Sequence, residues 1–411
     1  MAAVVGVTLA VIGIGGSAIG ELLPARVLVL LAAGALLAHA RPDLRVAIAC
    51  GIGVLALAMM NPAFSVYFVI LVGALTVARR QTVVFLVVLV SAAILAPKTA
   101  FVVHYHRPGY WNWINEPSLT VALLVSVLWL RTRGRPGPGT ATPPDDSLSF
   151  ALCYLFPSHA TNPMPYSPAL LSRARQFDAR AILTLLAWFV AKAAALVALR
   201  RFGQSGLLAR LGPGDLDTLG RFDLWGMVIL SYVETCLSLA ATADIPVLMG
   251  RLFGFPLPDP FRLPLLAGNP VELWRRWGIY NRHVLLQLIY LPLGGGRRRK
   301  YLNVMLTFLA SALLLHSGWF GSKYWQVGTA GWRDQSIYFL LQGLAVCACL
   351  AVWDWTGKDA RTRTARRFSL ALIPAIVVTQ GWSALVHVTI LAPNIALGDR
   401  ARLVARCLGL A

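Results

Sequence analysis

The chain has 411 residues, with 37 Lys and Arg against 17 Asp and Glu for a formal net charge of +20, yet only 13% of it is charged. Soluble domains carry about 25% charged residues, and here 57% of residues are hydrophobic and gathered into long runs, which excludes a water-soluble fold and predicts an all-α, polytopic membrane protein. The basic residues fall in short clusters between apolar runs and form no single patch or aromatic-interleaved stripe, which argues against nucleic acid as a partner.

Apolar stretches run at about 2–20, 26–40, 46–60, 63–78, 82–96, 118–130, 181–199, 224–243, 301–320, 336–355 and 368–393, with shorter pieces at 149–157 and 284–293. The long ones approach the roughly 20 residues that a spanning helix needs. Those of 15 or 16 are expected to be tilted, extended by their flanks or only partly inserted. The expectation is roughly 10–12 membrane helices, some broken or re-entrant. Residues 1–20 lack the basic start of a signal peptide, so an uncleaved first helix is expected.

Lys and Arg positions set the orientation. Arg41 and Arg45, Arg79 and Arg80, and Arg131, Arg133 and Arg135 fall in alternate loops, which puts residue 1 inside and the loop 97–117 outside. His104 and His106 belong to that aromatic outer loop and read as interfacial. The stretch 134–148, containing GRPGPGTATPPDD, reads as a cytoplasmic linker between N-terminal transmembrane helices (1–133) and a transmembrane core (149–411). Arg297–Lys300 and the run RTRTARR ending at Arg367 mark cytoplasmic sides again, so 301–320 and 336–355 are predicted as an out-and-back pair. Arg400, Arg402 and Arg406 then fall on the wrong side if 368–393 spans once. A break near Gln380-Gly381 or a C-terminal helix on the membrane surface would each resolve this.

The six cysteines have no paired metal-ligand spacing and mostly lie within apolar runs, so neither a disulfide framework nor a metal site is expected. The chemistry concentrates in 244–320. Asp244 and His316 are ionisable groups in apolar surroundings, which makes each a functional candidate by default. For His316 two readings stand: a proton acceptor, or a hydrogen bond to a neighbouring helix. On an α-helical wheel Asn303, Thr307 and Ser311 form one polar stripe. His316 lies roughly 140° from Ser311, with Met305, Leu309 and Ala312. His387 likewise reads as a helix contact or as a group lining the same cavity.

The segment 272–285 reads as one helix entered after Asn269-Pro270, with Trp274, Trp277 and Asn281 on one face and His283 about opposite. Arg275 and Arg276 beside the tryptophans suit a phosphate, carboxylate or headgroup, and equally a membrane-surface anchor. Tyr290-Leu-Pro-Leu-Gly-Gly-Gly296 ends a helix and permits close backbone approach. The following Arg297, Arg298, Arg299 and Lys300 could hold anionic lipid or donor phosphates, or simply mark the inner side.

Together these residues resemble the membrane-bound O-acyltransferase family, in its bacterial branch of alginate O-acetylation and D-alanyl transfer. The matching pieces are Leu273-Trp-Arg-Arg-Trp277, Tyr290-Leu-Pro-Leu-Gly-Gly295, Tyr301-Leu-Asn303 and His316, in the family's order and spacing. Asp244 with Gly250-Arg-Leu-Phe-Gly-Phe255, Tyr154-Leu-Phe-Pro157 and Gly381-Trp382 are weaker echoes. The chain departs where the family has a second histidine after WRRW, here Gly278, and where tryptophan precedes the last histidine, here Leu315.

The resemblance implies a helical core around a central tunnel and transfer of an acyl group, probable acetyl in this branch, to a hydroxyl of a polysaccharide, lipid or small molecule. It implies His316 as general base, and Asp244, Trp274, Arg275, Arg276, Trp277, Asn281 and Tyr290 as substrate-binding residues. Arg297–Lys300 would take donor phosphates. The donor is expected to be acyl-CoA or an acyl-carrier thioester, with no bound cofactor. Expected partners are membrane lipid, the acceptor and a carrier or extracytoplasmic transferase protein, at a bacterial inner membrane. Gly278 motivates an alternative, a non-catalytic relative that binds lipid or an acyl intermediate. A transporter would show repeated halves or paired broken helices, and the sequence has neither.

Overall fold

A computed structural model describes residues 1–19, 25–60, 62–78, 81, 177–202, 212, 214–316, 330–357, 372–391 and 395–410. The apolar stretches at 82–96, 118–130 and 149–157, the outer loop, the linker 134–148, Tyr154–Pro157 and the basic run 361–367 lie outside the described residues. The described helices are α1 (Ala2–Ile19), α2 (Ala25–Ala40), α3 (Arg45–Met60), α4 (Pro62–Ala78), α5 (Ala179–Phe202), α6 (Arg221–Leu252), α7 (Pro270–Arg276), α8 (Ile279–Leu285), α9 (Lys300–Ala310), α10 (Ala330–Thr356), α11 (Ile373–Leu391) and α12 (Leu397–Leu408). There is no strand among the described residues, and the chain is an all-α, multi-pass membrane protein.

Five helices are long and apolar enough to cross a membrane: Ala2–Ile19, Ala179–Arg201, Arg221–Leu252, Arg333–Thr356 and Ile373–Ile390. α2 and α3 are two short pieces bent by 118° at Pro42, where a one-turn helix Pro42–Leu44 separates them. Proline has no N–H to continue the ladder, so the chain turns there.

The described residues form two compact units, one within Met1–Ala194 and Ala240–Pro260, the other within Ala195–Leu239, Phe261–Trp319 and Lys323–Ala411. In the first, Asp244 lies in the second half of α6, only 1% exposed, and is ion-paired with Lys192 of α5. Beyond α6, Arg251 donates to the carbonyls of Leu257 and Ala181 at 2.9 Å each and to Asp259 Oδ1 at 2.7 Å. One guanidinium thus fixes the turn that carries the buried Phe253 and Phe255.

In the second unit the first half of α6 packs on α11 and α12 through Leu224, Val228, Tyr232, Cys236, Ala384, Leu385, Val388, Leu403 and Cys407. The Cys407 carbonyl, in the last turn of α12, accepts from Trp225 Nε1 at 2.8 Å and from Arg221 Nε at 2.9 Å, which satisfies an end carbonyl that the helix itself cannot. Arg400 is buried and bonds Asp334 of α10 at 2.7 Å. α11 runs unbroken through Gln380-Gly381, so a break there is not what accommodates the C-terminal arginines. α12 is a separate amphipathic helix whose inner face is Arg400, Leu403 and Cys407.

The predicted out-and-back pair is present as α9 and α10. Lys300 and Tyr301 at the start of α9 meet Asp354 near the end of α10 at 2.5 and 2.6 Å. Midway, Phe308 faces Phe339 with ring centroids 6.5 Å apart. Gly343 permits the approach, because a Cβ there would come within 3.0 Å of Met305 Sδ and 3.2 Å of Phe308 Cβ.

Candidate functional site

Three of the family-like segments meet in the second unit. Asn269 caps α7, its side-chain oxygen accepting from Glu272 N at 2.8 Å. α7 then lasts only to Arg276, and α8 begins at Ile279. The single helix expected over 272–285 is therefore two, because Gly278 takes the left-handed conformation at φ +47°, a region costly for residues with a Cβ and free for glycine. A one-helix wheel no longer relates Trp274 and Trp277 to Asn281 or His283. Proximity does for one pair: a Cβ on Gly278 would stand 3.9 Å from both Cβ and Nδ2 of Asn281. Asn281 thus borders the place where the family pattern has its second histidine.

Trp274 stands at the centre of an aromatic group. Its ring is 5.0 Å from Phe308, 5.8 Å from Phe339 and 6.2 Å from Trp277, joined by Ala312, Tyr338 and Val386. Trp277 in turn makes an edge contact with Phe261 at 5.4 Å. The Trp274 indole N–H is buried and has no hydrogen-bond acceptor among the described residues. Buried indole N–H groups usually find a partner, so this one is a donor available to a bound molecule.

α8 runs into a π-helical turn, Leu286–Tyr290, and then the glycine loop. Gly294 and Gly295 have φ of +100° and +57°, and the Tyr290 carbonyl accepts from Gly295 N at 2.9 Å. Asn303 locks this loop from the first turn of α9. It is 2% exposed, and its amide nitrogen donates to the carbonyls of Leu293, Gly295 and Arg298 at 3.0, 2.8 and 2.7 Å. Thr307 donates to the Asn303 carbonyl at 2.6 Å. The polar stripe seen in the sequence is thus a loop clamp at its first member and a backbone contact at its second. Tyr290 lies along the loop, its hydroxyl 3.4 Å from a Cβ placed on Gly296.

α9 also ends in a π-helical turn, Ser311–His316. The α-helical wheel therefore stops at Ala310, and the face assigned to His316 with Met305, Leu309 and Ala312 does not carry past that point. π-helical turns recur at functional sites.

The basic candidates divide. Arg276 is held by Glu272 at 2.5 Å and by the Leu263 carbonyl at 3.3 Å, and Lys300 by Asp354. Arg275, Arg297, Arg298 and Arg299 have no carboxylate partner among the described residues. Asp244 belongs to the first unit.

Two residues escaped the sequence reading as members of this region. Gln380 of α11 donates to the carbonyls of Pro264 and Ala267, at 3.1 and 3.3 Å, and accepts from Tyr232 at 2.7 Å, steadying the turn that leads into α7. His387, 3% exposed, lies between Tyr232 and Tyr338, with ring centroids 4.8 and 4.6 Å away. Its Nδ1 meets the Ser383 carbonyl at 2.9 Å. A carbonyl can only accept, so Nδ1 carries the proton and Nε2 faces the Tyr338 hydroxyl at 3.4 Å as acceptor.

The fold and these segments define a multi-pass helical membrane protein in which a tryptophan-arginine pair of short helices, a glycine loop and an Asn-clamped helix ending in histidine are assembled in one unit. Over 115 residues the chain is 33% identical to the peptidoglycan O-acetyltransferase of Helicobacter pylori, covering 27% of this chain and 22% of that protein. It is 26% identical over 114 residues to the probable alginate O-acetylase AlgI of Pseudomonas putida and to that of Pseudomonas aeruginosa, again 27% of this chain. These relatives bear out the resemblance to the membrane-bound O-acyltransferases over about a quarter of the chain, and the match spans about a fifth of the relatives' own length. No protein-family model matches the chain.

Proposed function

We propose that this chain is a membrane O-acyltransferase that moves an acyl group, acetyl by the names of its relatives, from a thioester donor to a hydroxyl. The observation that carries the reading is the gathering of the WRRW, PLGG and YLN segments and the His316 turn into one unit, in a chain whose relatives are O-acetyltransferases. His316 accepts the proton of the acceptor hydroxyl as its oxygen attacks the thioester carbonyl carbon. The tetrahedral oxyanion takes hydrogen bonds from the Trp274 indole N–H and the Asn281 amide. As the C–S bond breaks, the thiolate leaves and recovers the proton from the imidazolium, giving ester and thiol. A water-poor site protects the thioester from hydrolysis.

Arg275 and Arg297–Arg299 are the cations that remain for donor phosphates, while Arg276 and Lys300 reach the donor only by leaving their carboxylates. Asp244, ion-paired to Lys192, supports α5 and α6 in this account and binds no substrate. A bacterial inner membrane, a cytoplasmic donor and a partner protein that delivers or receives the group complete the proposal.

The test is transfer of label from acetyl-CoA and longer acyl-CoA donors in membranes carrying wild type or His316→Ala. Label reaching a hydroxyl acceptor only with His316 present supports the enzyme. Gly278 favours a second reading, an accessory relative that holds lipid or an acyl intermediate. Gly278→His separates the two: a large gain in transfer indicates that the natural chain is impaired or adapted to other chemistry.

A further inference from the structure

The net charge of +20 makes it informative to ask which cations near α7 and α8 have partners. Arg262, Arg275 and Arg282 have no carboxylate partner among the described residues. Arg262 N–H donates to the Arg276 carbonyl at 3.0 Å, which sets residue 262 beside the end of α7 and next to Arg275. The left-handed turn at Gly278 folds α8 back from that end, and Arg282 N–H bonds the Gly278 carbonyl at 3.0 Å, placing Arg282 in the first turn of α8 over the same corner.

Arg282 is half-buried, and its Nε is fully buried with no acceptor among the described residues. Burial, then Arg275 and Arg262, hold its guanidinium below the ordinary arginine range. Three guanidinium groups facing one another, one with a buried orphan donor, are unfavourable unless an anion with several acceptor oxygens lies between them. Guanidinium forks match phosphate oxygens. Arg276, from the same Arg-Arg pair, turns instead to Glu272.

We propose that Arg262, Arg275 and Arg282 form a binding site for a phosphate-bearing ligand. The identity of the bearer rests on the transferase reading, which points to the phosphates of a thioester donor; a phospholipid headgroup presents the same chemistry from another source.

The experiment uses the full chain in nonionic detergent. It measures binding of unacylated coenzyme A and, in a separate arm, of phosphatidylglycerol against phosphatidylcholine in mixed micelles. Arg262→Gln and Arg282→Gln are expected to weaken binding of the preferred ligand at least tenfold and to flatten its salt dependence, whereas Arg41→Gln, far along the chain and paired with Asp43, leaves both unchanged. Arg262 is exposed, so its variant keeps the test sound if Arg282→Gln misfolds, and Arg262→Lys is expected to restore part of the affinity. Coenzyme A bound through these arginines supports the site and the soluble donor. Phosphatidylglycerol alone bound through them supports the site and removes the soluble donor from the proposed function. The site is overturned if neither ligand binds the wild type, or if both variants bind as tightly as it does. Intact binding of coenzyme A without label transfer fails the transferase reading and leaves the site standing.

Discussion

Between Leu293 and Asn303 nearly every polar group has an assigned structural partner. One amide holds three loop carbonyls, and Lys300 and Tyr301 share Asp354. Between Arg262 and Arg282 the Trp274 N–H and the Arg282 Nε are buried without acceptors among the described residues, and three arginines lack counter-charges. Both stretches look alike as sequence, each a basic cluster beside a helix start. The contrast teaches that a family-like motif can be scaffold in one place and ligand-facing in another, and that the distinction lies in which polar groups are left unsatisfied.

The comparison can be pressed by substitution. The most fully paired charge of all is Asp244, and Asp244→Ala, which strands Lys192, is expected to destabilise by about 3 to 5 kcal/mol in equilibrium unfolding in mixed micelles. The double change Lys192→Met with Asp244→Leu should recover most of that loss, and retained transfer in the double variant would confirm that Asp244 is support and not a substrate ligand. Asn303→Ala orphans three carbonyls and is expected to cost about 3 kcal/mol by the same measurement. If its stability were unchanged, the loop would not be clamped as described. Trp274→Phe keeps the aromatic packing but removes the orphan N–H. It should leave the unfolding midpoint near wild type while lowering transfer about tenfold or more, at the weaker end of the cost of losing an oxyanion donor. The smallest effect belongs to Asp354→Asn, whose carboxylate is exposed and solvent-screened. No measurable shift in the unfolding midpoint is expected.

Much of the fold was legible because apolar run length alone dictates membrane helices, and the α9–α10 pair followed from where the arginines fell. What misled was local backbone. Gly278 was visible in the sequence as a missing histidine, but its more immediate consequence is a left-handed turn that breaks the helix between Trp277 and Ile279. Likewise nothing in SALLLH announces a π-helical turn, so the wheel drawn through His316 overran its validity. Long-range pairing was hidden as well: Lys300 meets a carboxylate 54 positions away, and Gln380 reaches a turn more than a hundred residues earlier. Arg262 and Arg282 carried a faint signal, lying on either side of Arg275 in a segment with few acids. Their convergence depends on the turn at Gly278.

The central claim is acyl transfer dependent on His316. Its most direct test is label transfer from acetyl-CoA in membranes, comparing wild type with His316→Ala at matched expression and matched unfolding midpoint. A fall of about 10²- to 10⁴-fold, the contribution of a well-placed base, is the expected result. Equal transfer in the two, with both folded, would contradict the account.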